Sequence, residues 1–484
     1  MSRDFSLQPA GFLLLFVTLA PWESAIEQTP APLSLHPENP HYFLFRGKPA
    51  VLVTSGEHYG AVLNRDFDYI PYLNEIQTRG FNLTRSFAGT YREVPGSFGI
   101  SGNTLAPEPG SYVAPWARSS VPGAGDGGAK FDLKTWNAAY FTRLKDFIAQ
   151  AGKRGIVVEL VFFCALYDDD LWAVNPMNPR NNVQGAGPNS RLEVYSLKDS
   201  VLSVAQEALV RKIVAELNGF DNLYYEVCNE PYERPGLTRE WNERMIAAIV
   251  EAERGLPARH LIAQGIAVRS ARIGDPHPQV SVFNFHAATS ESVALNYHLG
   301  KSIADDETGG KGTADFPYRS EGWQFLLAGG GVFSHLDFSF TVERPDGTAA
   351  LKGAPGGGGP AIRKQIEVLK EFIESFDFVS MRPDNDVIKS CSVAGPSPAD
   401  PPQAKGSSRA LVSPGHAYAI YVRGGTRTEL EIALPAGRYQ AEWVNTGTGA
   451  IERSETFEHH GEVRKLTSPA YAEDIALRLK RADD

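Results

Sequence analysis

"IVVELVFF", residues 156–163, is nearly unbroken in branched and aromatic apolar side chains. A strand with one wet face alternates apolar and polar residues. A strand buried on both faces does not, and that pattern marks a parallel sheet covered by helices. The run is short for a buried helix, and Gly155 and the Asp168–Asp170 loop bound it. The segment before it, "KTWNAAYFTRLKDFIAQAGKRG" (134–155), repeats Trp136, Tyr140, Leu144, Phe147 and Ala151 at helical spacing. The helix-like "SVAQEALVRKIVAELNGF" (203–220) and the strand-like "NLYYEVCNEP" (222–231) follow.

The same rhythm extends in both directions. "AVLVTS" (50–55), "FNLTRSF" (81–87), "HLIAQGI" (260–266), "VSVFNFHA" (280–287), "KSIADDE" (301–307) and "GVFSHLDF" (331–338) bring the strand count to eight, mostly with a helix after each. Eight such units over roughly 300 residues predict a (β/α)8 TIM barrel, with a doubly wound open sheet as the alternative. In a barrel, function belongs to the loops after the strands' C-terminal ends. The longest of these are 88–130 and 164–198. After residue 380 the period changes to two, as in "HAYAIYVRGG" (416–425) and "TELEIALPAG" (428–437). That predicts a small C-terminal antiparallel β-sandwich over 380–484, with the barrel over 26–379.

With 484 residues the chain has room for two domains. A net charge of −10 with no long basic run argues against nucleic acid as a partner. Arg3 precedes an apolar run from Gly11 to Ala20 that is too short to span a bilayer. Residues 1–25 therefore read as a signal peptide, with an uncleaved anchor as the alternative. A secreted or periplasmic protein, free of the membrane after cleavage, is expected. Cys164, Cys228 and Cys391 give neither a disulfide framework nor a zinc pattern.

Most local motifs fail on context. "GAGDGG" (123–128) satisfies G-x-G-x-x-G, but no strand precedes it. "LGKS" (299–302) lacks the glycine a P-loop needs, since Leu295 stands there. Asp168-Asp169-Asp170 reads as a solvated acidic loop. One motif survives: Asn229-Glu230-Pro231 ends the fourth strand with a carboxylate, where a barrel displays reactive groups. Alternation along the strand would put Glu226, Cys228 and Glu230 on one face. Glycosidic hydrolysis uses two carboxylates, and the seventh strand offers Asp305, Asp306 and Glu307 before a Gly-rich turn.

"YYEVCNEP" and "SIADDETGG" together resemble the two catalytic strands of glycoside hydrolase clan A, the family 5 cellulase-like retaining enzymes. The first half of the chain is also similar to apiosidase-like barrels that carry a C-terminal β-sandwich. The resemblance covers roughly residues 35–378. It implies Glu230 as acid/base and Glu307 as nucleophile, with no metal or organic cofactor and a carbohydrate as the partner. Residue by residue it makes Arg85 the arginine that keeps the nucleophile ionised and Asn229 the ligand of the sugar 2-hydroxyl. His286 becomes a substrate contact, and His58 falls at the sugar-binding end. The family's tyrosine after strand six is replaced by Ala288, which leaves Tyr297 or Tyr318 for its role. Its tryptophan after strand eight is missing, and Trp323 is the candidate replacement. Glu226 is expected to pair with Arg85 inside the barrel, because a buried carboxylate needs a partner. The repulsion of Glu307 is expected to raise the pKa of Glu230. The alternative reading is a non-catalytic secreted carbohydrate-binding protein on the same barrel.

Overall fold

A computed structural model describes Met1 and residues 31–232, 237–395 and 407–482. Apart from Met1, the predicted signal sequence falls outside them. Eight parallel strands form one sheet: β1 (Leu52–Gly56), β2 (Leu83–Phe87), β3 (Val157–Cys164), β4 (Leu223–Asn229), β5 (Ile262–Val268), β6 (Val282–His286), β7 (Ser302–Thr308) and β8 (Val332–Leu336). Each strand pairs with the next from β2 to β8, and β8 pairs with β1. The last seam is closed by one residue, whose backbone N–H donates to Val53 O at 3.3 Å and whose side chain adds two bonds. Asn82, just before β2, accepts from Val53 N and donates to Val51 O, both at 2.9 Å. The barrel is thus complete, and the open-sheet alternative falls.

The strand interiors stack in layers. Leu52, Leu83, Val157, Tyr224, Ala263, Val282, Ala304 and Val332 form the lowest, and Leu33 and Phe43 pack against it. Phe43 belongs to a three-stranded antiparallel sheet (Ser34–Leu35, Phe43–Phe45, Lys48–Ala50) that floors the barrel. Each fully buried Leu, Val or Phe here is worth about 1.5–3 kcal/mol. One turn higher the layer becomes polar: Arg85, Glu159, Glu226, Asn284 and Asp306 are all buried. The apolar floor holds this polar layer below the reactive end.

Helices follow every strand except β5: Tyr69–Thr78, Ala138–Lys153, Ser200–Leu217, Arg239–Glu253, Ser290–Asn296, Asp315–Leu326 and Pro360–Glu374. Between β5 and β6 the chain runs as loop through Pro276 and Pro278, which cannot continue a helix. The 88–130 stretch is not all loop. Trp116–Pro122 and Ala129–Trp136 form a hairpin, and "GAGDGG" is its turn. Trp136 is therefore on a strand. The next helix begins at Ala138, where Asn137 accepts from Ala139 N at 3.2 Å and caps it. The acidic triplet has a local role too: Asp168 caps the helix Asp169–Val174, and Asp169 pairs with Arg191 at 3.0 Å.

The C-terminal sandwich packs a six-stranded sheet on a three-stranded one. Tyr418, Ile420, Trp443 and Leu477 are among its fully enclosed residues. It docks on the helix Asp315–Leu326. Trp323 stacks on Tyr421 with ring centroids 5.5 Å apart, and Arg319 binds Asp474 at 2.8 Å. Among the described residues no helix is long and apolar enough to cross a membrane.

Candidate active site

At the C-terminal end of the barrel is a 450 Å³ pocket, and Glu230 and Glu307 both line it. Its walls are rich in aromatic rings: Tyr59, Phe87, Tyr91, Phe98, Tyr167 and Phe338. Side-chain alternation alone does not build it. Asn229 and Glu230 are consecutive, yet both face the pocket, and Cys228 does not line it. The expected shared face of Cys228 and Glu230 is therefore corrected. β4 ends at Asn229, and Glu230 turns into the left-handed region with φ 49°. Tyr59, Phe98 and Ala287, which also line the pocket, have φ of 57°, 54° and 45°. Such conformations cost non-glycine residues energy and concentrate at functional sites. Ala287 shows what the turn achieves. Its N–H donates to the Glu307 carbonyl at 2.8 Å, and the β6–β7 register shifts so that His286 pairs with Glu307.

Arg85 organises the layer under the pocket. Its Nη1 donates to Glu307 Oε2 at 3.0 Å. Its Nη2 donates to Glu226 Oε2 at 2.6 Å and to Asn229 Oδ1 at 2.7 Å. Asp306 Oδ2 lies 3.3 Å from the same nitrogen, and Glu159 Oε2 lies 3.8 Å from Nε. Tyr59 stacks over the guanidinium at 4.7 Å from the ring centroid. One fixed cation thus spans the core carboxylates and Glu307, which a flexible ammonium could not do.

His286 stands between the two pocket carboxylates. Its Nδ1 is 3.0 Å from Glu230 Oε1 and 3.8 Å from Glu307 Oε1, and Nε2 is 3.6 Å from Asp306 Oδ1. Burial disfavours its charged form, but Glu307, Asp306 and Glu230 outweigh burial and bring its pKa up to about 10. The effect on Glu230 reverses the expectation from sequence. Burial pushes the carboxyl up, but the hydrogen bond and charge of His286, then Tyr167 and Arg85, pull it below the usual carboxylate value. A histidinium between two acids cancels their mutual repulsion. Tyr167 donates to the other oxygen of Glu230, and Asn229 Nδ2 donates to the Tyr167 hydroxyl at 3.0 Å.

The pocket's lining holds a second polar cluster. His58 Nε2 is 3.2 Å from Glu93 Oε1, and Tyr91 and Asn103 donate to the same carboxylate. Burial lowers the His58 pKa, but Glu93 leads the charges that lift it above its ordinary value. Among the described residues two groups have metal-ligand spacing, each with atoms within 4.8 Å: Glu230, His286 and Glu307, and Glu159, Glu226 and Asp306. In both, positive charge is already supplied, by His286 and Arg85 respectively.

Six of the residues singled out in the sequence, Glu230, Glu307, Asn229, Arg85, His286 and His58, therefore meet at one place. Trp323 does not. It is 0% exposed, packed between Phe372 and Tyr421 where barrel meets sandwich, so it cannot be a sugar platform. Tyr297 stacks on His41, and the Tyr318 hydroxyl is bonded to Lys311 N, Gly312 O and Gly357 N. The phenol facing Glu307 is that of Tyr59, whose pKa burial and then Glu307 raise. Glu93 and Tyr167 are further site residues that the motifs did not single out, and Asp306, one of the three acids offered by the seventh strand, lies buried beside Arg85 and His286.

No protein-family model and no curated protein sequence matches the chain. Solved structures do match. A glycoside hydrolase superposes with a TM-score of 0.63 at 15% identity, over 94% of this chain and 97% of that one. The chain shares its fold. A glycoside hydrolase family 5 protein from Bacteroides vulgatus ATCC 8482 gives a TM-score of 0.61 at 15% identity, over 93% of each chain. Both alignments span barrel and sandwich together.

Proposed function

We propose that the protein is a retaining glycoside hydrolase that cleaves O-glycosidic bonds in an oligosaccharide or polysaccharide. The observation that carries this reading is the close approach of the two carboxylates. Reactive atoms of Glu230, Glu307 and the intervening His286 lie within 4.8 Å of one another. Retaining enzymes hold their carboxyls about 5–5.5 Å apart, whereas inverting ones leave about 6.5–9.5 Å for a water.

Glu307, fixed by Arg85, attacks the anomeric carbon, and the bond to the leaving oxygen breaks. Glu230 donates a proton to that oxygen. In the resting site the proton sits on His286 Nδ1, hydrogen-bonded to Glu230 Oε1 at 3.0 Å. It passes to the carboxyl as charge develops on the leaving oxygen, so the pair titrates as a unit. Once Glu307 is esterified, its charge is gone. Glu230 then takes a proton from water as the water oxygen bonds to the anomeric carbon, the ester bond to Glu307 breaks, and the sugar leaves with Glu307 restored as a carboxylate. Asn229, locked between Arg85 and Tyr167, presents its amide to the sugar hydroxyl beside the anomeric carbon. We read residues 1–25 as an export signal, which places the activity outside the cytoplasm.

A screen of aryl glycosides and plant polysaccharides tests the reading. Hydrolysis by the wild type that Glu307→Gln abolishes is expected. Inactivity on every glycoside, or undiminished activity in the variant, would overturn it.

A further inference from the structure

Arg319 and Arg409 both lie at the seam between barrel and sandwich, in opposite electrostatic settings. Arg319 reaches from the barrel to Asp474 and Glu473, each at 2.8 Å. Burial disfavours its charge, but Asp474 and then Glu473 outweigh burial and raise its pKa. Arg409 reaches the other way, from the sandwich strand Ser407–Ser413 to the barrel. Its Nε and Nη2 donate to the same oxygen, Ser290 Oγ, at 3.1 and 2.9 Å, and Nη1 donates to Ser408 O at 3.0 Å. Among the described residues it makes no ion pair, and burial lowers its pKa with no acid to offset it.

A cation taken out of water costs free energy unless an opposite charge or hydrogen bonds compensate. Here the compensation is partial. The Nε–Nη2 edge of a guanidinium is a fork that matches the two oxygens of a carboxylate or phosphate. A single hydroxyl oxygen occupies it, and three of the five N–H groups are used.

Open space faces this arginine. A 460 Å³ pocket is lined by Arg409, Ser290, Tyr297, Asn385, Ala294 and Pro383, among others. That volume is within the roughly 300–1,000 Å³ of small-molecule sites. It shares no lining residue with the catalytic pocket. Tyr297 is held by stacking on His41, with ring centroids 3.7 Å apart. Asn385 Oδ1 accepts from Ala410 N at 2.9 Å, so its amide nitrogen remains a donor. Glu291, the one acid of the lining, accepts from Ser270 Oγ at 3.0 Å. A second guanidinium is near: burial raises the Tyr297 pKa, and the charge of Arg382 pulls it back. The pocket therefore combines uncompensated positive charge and neutral donors with apolar walls from Ala294, Pro383 and the Tyr297 ring.

We propose that this seam pocket binds a small organic anion with an aromatic or aliphatic body. Its carboxylate or phosphate oxygens take the Nε–Nη2 fork of Arg409, and its body lies against Tyr297 and Pro383. Ser290 turns from acceptor to donor toward the same oxygens, so the ligand bridges barrel and sandwich. The site is separate from the catalytic pocket and does not rest on the glycosidase reading.

Calorimetric titration of the full chain with benzoate, phenyl phosphate and benzyl alcohol tests the proposal. The three share an aromatic ring and differ in the charged group. At least one anion should bind at least tenfold more tightly than the neutral alcohol, and the tighter of the two identifies the oxyanion. Arg409→Gln should abolish that advantage. So should Ala294→Trp, which puts an indole into the pocket from an exposed position and leaves the arginine in place. Melting curves without ligand check that both variants are folded. Equal affinity for all three probes, no binding of either anion, or an advantage that survives in either folded variant would overturn the proposal.

Discussion

His286 is the residue on which the proton inventory turns. It hydrogen-bonds Glu230, approaches Glu307 and backs onto Asp306, and these acids hold it charged with a pKa of about 10. The resting site therefore keeps its transferable proton far above the pH at which an isolated glutamic acid would lose it. The basic limb of kcat/KM should lie at correspondingly high pH. In His286→Ala the proton must rest on Glu230 itself, and the limb should move down by about one pH unit or more. A rate lowered equally at all pH values, with the limb unmoved, would show that His286 only packs. Of these residues, Glu230 and Glu307 were legible because a carboxylate at a strand's end stands out against an apolar run. Glu93 and Tyr167 sit in loops without period, where nothing distinguishes a pocket residue from a solvated one. Tyr59 follows His58 in a turn after β1, and only its left-handed backbone aims the phenol at Glu307. Trp323 was misplaced because sequence proximity to β8 says nothing about which end of a helix its side chain serves.

At the scale of elements, the eight strands were legible because full burial leaves near-continuous apolar runs. Their order followed from the βα rhythm. The hairpin Trp116–Trp136 was not, since its strands lie mostly exposed in a loop and lack the buried alternation that marks an edge. The missing helix between β5 and β6 has its reason in Pro276 and Pro278. The barrel's closure is a different kind of feature, one side-chain amide and one main-chain bond standing in for a ladder. Asn82→Ala removes both side-chain bonds and leaves Val53 N and Val51 O unsatisfied, while the main-chain bond from Asn82 N to Val53 O at 3.3 Å remains. Leaving buried backbone groups unpaired costs about 1–3 kcal/mol each. The unfolding free energy in chemical denaturation should drop by about 2 kcal/mol or more. A change within about 0.5 kcal/mol would mean that the seam closes without Asn82.

For the whole molecule, buried charge should set how stability varies with pH. Burial raises the carboxyls of Glu57 and Asp306 to about 7, and Glu159, Asp305 and Glu321 are raised as well. A raised carboxyl binds its proton in the folded state and loses it on unfolding, so stability falls as pH climbs from the unfolded value toward the folded one. His286, raised to about 10, adds stability that is complete below about 6.5 and is lost as pH rises through 10. His335, lowered to about 4 by burial, opposes this trend only between about 4 and 6.5. The melting temperature should therefore decline steadily from pH 6 to pH 9, and a rise over that range would contradict these ionisation states. The intact protein also provides the most direct test of the central claim, that Glu307 is a covalent nucleophile and Glu230 its acid and base. Glu230→Ala is mixed with a dinitrophenyl glycoside, whose leaving group needs no protonation, and the protein's mass is read. A burst of dinitrophenol with a mass increase of one glycosyl group, mapped by peptide digestion to Glu307, is the expected result. Added azide should then release a glycosyl azide of retained configuration. No adduct, an adduct on Asp306, or an azide product of inverted configuration would contradict the account.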